Sequence, residues 1–150
     1  MAPYVPLPPP SVNSTHEGGL KTSSPACISP PSKSSLNIAF INCVGQTKFP
    51  VAKQLEIESY IRSKNLDIIH LQECKIEEEN FSECPYIRSN FNIFPNNTPN
   101  DTFYGTASLV RCEVDVSNVR NDDAGRVIIF DAAGCTWGNL YLPSGTDGPS

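Results

Sequence analysis

The chain has 150 residues and a formal net charge of −5. That is room for one modest domain, without the basic face of a passive nucleic-acid binder. Its six cysteines, at 27, 43, 74, 84, 112 and 135, form no CxxC or CxxH pair, which argues against a zinc centre.

Residues 1–35 hold eight of the 14 prolines and eight serines, with few large aliphatics. Such a segment cannot bury enough apolar surface to offset its ordering entropy, so a disordered tail is predicted over 1–35 and a folded part over 36–150. Pro6 to Pro10 reads as linker sooner than as a polyproline ligand. Met1 leads into proline-rich sequence and not into a charged start with an apolar core, so no secretion signal is read. No run approaches 18 apolar residues, so no membrane span is expected. The thiols are expected to be reduced and the chain intracellular, nuclear or cytoplasmic. The tail carries only Lys21, Lys33 and Glu17, which leaves nine cations against fifteen anions in the folded part.

Leu36 to Ile41 alternates apolar with small or polar residues and predicts a first strand, ending in a turn at Asn42-Cys43-Val44-Gly45. Thr47 and Pro50 signal a helix start. Val51/Leu55 and Ile57/Ile61, at i,i+4 spacing between charged residues, predict an amphipathic helix over 51–64, closed by Asn65. Leu66-Asp67-Ile68-Ile69-His70-Leu71-Gln72-Glu73 then reads as a strand buried on both faces, with Gln72 and Glu73 at its tip. Strand, helix, strand with short connections implies a parallel crossover pair. Asn42 and Glu73 would then share the C-terminal edge of one sheet, where sites are built in open sheets.

Glu77 to Glu79 reads as a solvated turn or short helix. Pro85, Pro95 and Pro99, with Asn96, Asn97, Asn100 and Asp101, predict a loop-rich middle. Tyr104 to Val110 reads as a strand, and Val114 and Val116 alternate with Asp115 and Ser117 as in a half-buried strand. Asn121 to Gly125 is a turn, Arg126 to Phe130 a returning strand, Gly134 another turn, and Thr136 to Leu142 a last strand. The second half is thus an antiparallel meander, with 143–150 as a loop.

Several of these residues carry a bland reading beside a functional one. Asn42 is a common turn residue, Tyr141 could be a core-edge aromatic, and Arg126 suits a hairpin, paired with Asp123 or Asp131. His70, between Ile69 and Leu71, reads as structural and not as a base.

Taken in order, Asn42, Leu71-Gln72-Glu73, Gly105-Thr106-Ala107-Ser108-Leu109-Val110, Gly125-Arg126-Val127-Ile128 and Asn139-Leu140-Tyr141-Leu142-Pro143-Ser144-Gly145 resemble the endonuclease/exonuclease/phosphatase family. Within it they are most similar to the abasic-endonuclease-like domain of non-LTR (LINE-type) retrotransposons. The resemblance covers 36–150 and implies an α+β fold, part of a DNase I-like four-layer α/β/β/α sandwich. It implies Mg²⁺-dependent cleavage of phosphodiester bonds, with DNA as partner. By the same resemblance, Glu73 is a metal ligand, Asn42 lies at the metal and the scissile phosphate, and Tyr141 donates its hydroxyl to a phosphate oxygen. Mg²⁺ takes hard oxygen ligands and keeps several waters, so one or two carboxylates suffice.

Two departures accompany the resemblance. Val44 stands where the family often has Asp or Asn, and the family's Gly-Asp-Phe-Asn and Ser-Asp-His segments do not occur in these 150 residues. The expectation is therefore an N-terminal half-domain, truncated, in which strands such as 127–130 lack a facing sheet. An inactive remnant and a family member acting on a small phosphoester are the rival readings.

Overall fold

The computed structural model describes residues 35–46, 49–99 and 105–142. Residues 1–34 of the predicted tail, Thr47, Asn100, Asp101, Tyr104 and the 143–150 loop lie outside them. Strand β1 (Ile38–Gln46) is followed by helix α1 (Val51–Lys64) and strand β2 (Ile68–Cys74). The helix has the predicted bounds, and Asn65 caps it in the left-handed conformation (φ 50°, ψ 51°), its N–H donating to the carbonyls of Arg62 and Ile61. β1 and β2 are parallel, paired from Ile38↔Ile68 to Asn42↔Gln72.

β1 does not stop at the predicted turn. The ladder is interrupted after Asn42 and resumes at Gln46↔Cys74, with Val44 and Gly45 in the left-handed region between (φ 56° and 63°). The turn signal of Gly45 is thus absorbed as an irregularity within the strand. The face α1 buries also differs from the prediction. Val51 and Leu55 are exposed, and Gln54, Ile57, Glu58 and Ile61 are buried. The two polar members have partners on the following segment. Gln54 Nε2 donates to the Phe49 carbonyl (2.6 Å) and its Oε1 accepts from Phe81 N. Glu58 Oε2 accepts from Ile87 N (3.0 Å).

That acceptor satisfies a donor that a helix start leaves unpaired, because Ile87 is in the first turn of a second helix, α2 (Pro85–Asn90). The predicted loop-rich middle in fact holds α2 and strand β3 (Phe91–Asn96). Pro95 disguised the strand. It is tolerated because β3 is an edge strand: the first sheet has the order β1-β2-β4-β3, with β4 (Gly105–Arg111) antiparallel to both β2 and β3. Glu77 to Glu79 are exposed, at the start of a turn.

The second sheet is the predicted meander, β5 (Val116–Asn121), β6 (Val127–Ala132) and β7 (Cys135–Leu140) in sequential antiparallel order. β5 starts later than the Val114/Val116 alternation suggested, because Cys112 to Val114 form a turn. Gly125 (φ 73°) and the Ala133-Gly134 pair (φ 52° and 76°) supply the positive φ that the two turns need.

Two cores separate the layers. Ile57, Ile61, Ile69, Leu71 and Leu109 pack between the helices and the first sheet. Ile68, Phe94, Val110, Val116, Ile128 and Phe130 pack between the two sheets. The expectation that strand 127–130 lacks a facing sheet is therefore wrong: Ile128 and Phe130 are fully buried against residues of β2, β3 and β4. The described residues thus stack as helices, sheet, sheet.

At the end of the sheet where β2 begins, Arg111 ties several elements together. Its Nε donates to Asp67 Oδ1 (3.2 Å), its Nη2 to the Leu66 carbonyl (2.8 Å), and its guanidinium lies 5.0 Å from the Phe91 ring centroid. Asp67, 1% exposed, also accepts from Asn37 N (2.8 Å). Arg111→Met leaves that carboxylate buried without its cation. It should lower stability by about 3 kcal/mol, read from chemical denaturation followed by circular dichroism, and a loss below about 1 kcal/mol would show that Asp67 has no need of the pair.

Candidate active site

The parallel pair places Asn42 and Glu73 side by side. Asn42 Nδ2 donates to Glu73 Oε1 (2.9 Å), and Asn42 Oδ1 accepts from Val44 N (2.8 Å). The amide is thus held at both ends, and the half-buried Glu73 carboxylate is held by it. Both strands leave regular geometry here: Val44 has φ 56° and Glu73 φ 53°. A left-handed conformation costs an L-residue roughly 1–2 kcal/mol, and most for a β-branched one such as Val44. This is observed backbone strain at a cluster of polar groups, a pattern concentrated at functional sites.

Beneath this edge lies a polar network between the sheets. Asn139 of β7, fully buried, donates through Nδ2 to the carbonyls of Leu71 (3.1 Å) and Ala107 (2.9 Å). Its Oδ1 accepts from Gln72 Nε2 (2.8 Å). Gln72 adjoins Glu73, so the network fixes β7 against the strand end that carries the carboxylate. Tyr141, two residues beyond Asn139, extends the β6–β7 pairing with its N–H to the Arg126 carbonyl (2.9 Å). It is half-buried, and strand alternation places it on the same side of β7 as Asn139. The three predicted site residues therefore stand at one end of the sandwich.

Arg126 takes another arrangement than the one predicted. It is exposed, and among the described residues no ion pair joins it to Asp123 or Asp131. Asp122 Oδ1 accepts the backbone N–H groups of Arg126 and Val127 and the Asn96 amide. Asp131 takes Thr136 and Asn118.

The Cys43 and Cys74 thiols, both fully buried, donate to backbone carbonyls, Cys43 Sγ to Ile41 (3.9 Å) and Cys74 Sγ to Gly105 (4.0 Å).

Gln72 and Asn139 are motif members in the sequence, but their bond to each other is not legible there. Partners 67 residues apart leave no local signal. A polar residue at an inward strand position was the one available clue.

The sequence matches no family model and no curated protein. Its likeness is to solved structures. It is similar to the truncated TDP2 of Caenorhabditis elegans, at 19% identity and TM-score 0.54, over 75% of this chain and 48% of that one. It is also similar to an AP endonuclease from Archaeoglobus fulgidus, at 20% identity and TM-score 0.54, over 73% of this chain and 42% of that one. The chain spans less than half the length of either. With the sheet order above, these matches define the fold as DNase I-like, an α+β sandwich, covered in part.

His70 is confirmed as structural. It is fully buried, its ring 4.7 Å from that of Phe40 and its Nδ1 2.9 Å from Ser108 Oγ, while Nε2 has no partner. Burial pushes its pKa down to about 4. The unfolded value, near 6.5, is higher, so as pH falls the unfolded chain binds the proton first. Stability is then full above about pH 6.5 and declines towards pH 4, by about 2 kcal/mol at pH 5. Denaturation at pH 7 and pH 5 should show that difference in the native chain and a decline smaller by this amount in His70→Phe. Equal declines in both would place the titration elsewhere.

Proposed function

We propose that the chain carries the metal-side part of a Mg²⁺-dependent phosphodiesterase domain that nicks DNA, of the kind found in LINE-type retrotransposons. The observation that carries this reading is the Asn42–Glu73 hydrogen bond where the ladder of two parallel strands is interrupted, on a fold that one AP endonuclease shares. The order of the Gly125-Arg126 and Asn139 to Gly145 motifs supports the retrotransposon type.

The residues present fit a hard divalent cation. Among the described residues no group of three His, Cys, Asp or Glu could hold a metal, but Mg²⁺ keeps several waters and needs only one or two carboxylates. Glu73 supplies one, and Asn42 Oδ1, with one N–H bound, retains a lone pair. When bound, the cation would polarise a phosphoryl oxygen and stabilise the leaving oxygen. Asn42 fixes the rotamer of Glu73 and orients the phosphate beside it. The Tyr141 hydroxyl donates to a phosphate oxygen and to charge developing on it, a preorganised donor on a strand end. His70 takes no part in activating water, since it is buried between the sheets. No other histidine is among the described residues.

Mn²⁺ is the direct probe. Its paramagnetic broadening should reach the Asn42 side-chain amide and the Glu73 signals first, and should fall at least tenfold in apparent affinity in Glu73→Gln. Broadening centred on Glu77 to Glu79, with Asn42 untouched, would sink the proposal. The water activator and second carboxylate that the family resemblance requires are not among these residues, and each such group is worth about 10²–10⁴-fold. The 150-residue chain should therefore relax supercoiled plasmid in Mg²⁺ no faster than Glu73→Ala. Nicking that vanishes in Glu73→Ala would show a complete site in this chain.

A further inference from the structure

We propose that the outer edge of β1 is a self-association surface, on which a second copy of this chain pairs its own β1 antiparallel across a two-fold axis at Phe40. Among the described residues β1 is bonded on one side only, to β2. Its other row of N–H and C=O groups faces outward, a template for an arriving strand. The second sheet is one strand narrower, three strands against four, and its edge strand β7 reaches only β2 and β4, where Asn139 bonds the Leu71 and Ala107 carbonyls. On β1, Ala39, Ile41 and Cys43 pack under the helices, so Phe40 takes the alternate face, towards the second sheet. There its ring stacks on His70, with 4.7 Å between centroids. His70 is fully buried, but Phe40 is 63% exposed. A phenyl ring on an inner sheet face is thus left largely in water at the open side of the sandwich.

Charge and conformation select the occupant. Residues 34–47 contain no charged side chain, in a chain of 11 cations and 16 anions. Two copies, each with net charge −5, repel as wholes, and like charges directly opposite in a ladder are destabilising. The β1 edge can face itself without that second cost. Its regular pairing with β2 runs from Ile38 to Asn42, and Val44 and Gly45 then leave extended geometry. Phe40 is the centre of that regular stretch. Two antiparallel copies centred on it set Phe40 opposite Phe40 of the second copy, and Ile38 opposite Asn42. Such a contact is isologous, the same patch on both chains. Each ring covers the other, and the aromatic pair adds to the ladder bonds.

The pair is closed and of modest strength. The left-handed turn of the backbone at Val44 and Gly45 ends the new ladder after a few residues. The interface is therefore at the small end of the range, as in transient contacts, and the dimer should dissociate on dilution. Two-fold closure uses the β1 edge of both copies, so association stops at two. The axis sends the two Asn42–Glu73 pairs to opposite ends of the joined strands. The pairing itself is independent of the catalytic reading.

Sedimentation equilibrium of the whole 150-residue chain tests this. Expected is a mass that rises with concentration from 16.4 kDa towards twice that value and no further. Phe40→Lys and Phe40→Glu should each stay monomeric, because like charges then meet across the axis. An equimolar mixture of the two should dimerise again, with opposite charges facing. Phe40→Ala, which removes the ring and adds no charge, should weaken the dimer about tenfold, so the test does not depend on the charged variants folding. Leu140→Lys, at an exposed position of β7, should leave the dimer intact. A native chain that is monomeric at every concentration overturns the proposal, as does a mass that climbs past the dimer. So do folded charged variants that dimerise alone or stay apart when mixed, a Phe40→Ala chain that dimerises as the native one does, and a dimer lost in Leu140→Lys.

Discussion

The buried amide of Asn139 is the interaction on which the site depends. Two sheets packed through aliphatic and aromatic side chains can slide, because dispersion and apolar burial have little directional preference. Asn139 removes that freedom. It spends its donors on the carbonyls of Leu71 and Ala107, in two different strands of the first sheet, and its acceptor on Gln72. A register slip of one residue would bury that amide without partners, at roughly 1–3 kcal/mol for each lost bond. The position of Tyr141 relative to Glu73 follows from this fixed register.

Polar residues perform the same service elsewhere in the fold. Gln54 and Glu58 occupy the buried face of α1 and hold the segment from Phe81 to Ile87 by its backbone N–H groups. Asn96 and Thr106 reach from the first sheet to Asp122 and Gly125 in the turn between β5 and β6. The apolar cores supply most of the burial, and these directional bonds decide which packing is adopted. Left-handed backbone occurs at several points of the fold, Phe81, Asn118 and Ala133 among them, and at Val44 and Glu73 it falls beside these bonds.

Much of this was legible in the sequence where the signal is local. Helix α1, its Asn65 cap, the doubly buried strand β2 and the meander turns at Gly125 and Gly134 all follow from short patterns. The juxtaposition of Asn42 and Glu73 needed only the parallel crossover. What stayed hidden was non-local. Pro95 argued against a strand because nothing in the sequence says that β3 is at an edge. Val51 and Leu55 looked like a core face because hydrophobicity alone cannot reveal that Gln54 and Glu58 find backbone partners. The facing of β6 against the first sheet was missed because the number of layers is a property of the whole chain.

Pro95 has a further effect on how the molecule meets its neighbours. The first sheet has two outer strands, β3 and β1. A proline ring on β3 cannot donate to an arriving strand and obstructs it, so that rim is closed to lengthening. β1 carries no proline, and on it Phe40 and Val44 are exposed. Among the described residues the sheet is therefore polar in its capacity for growth: β3 resists lengthening, and β1, the side that bears Asn42, does not.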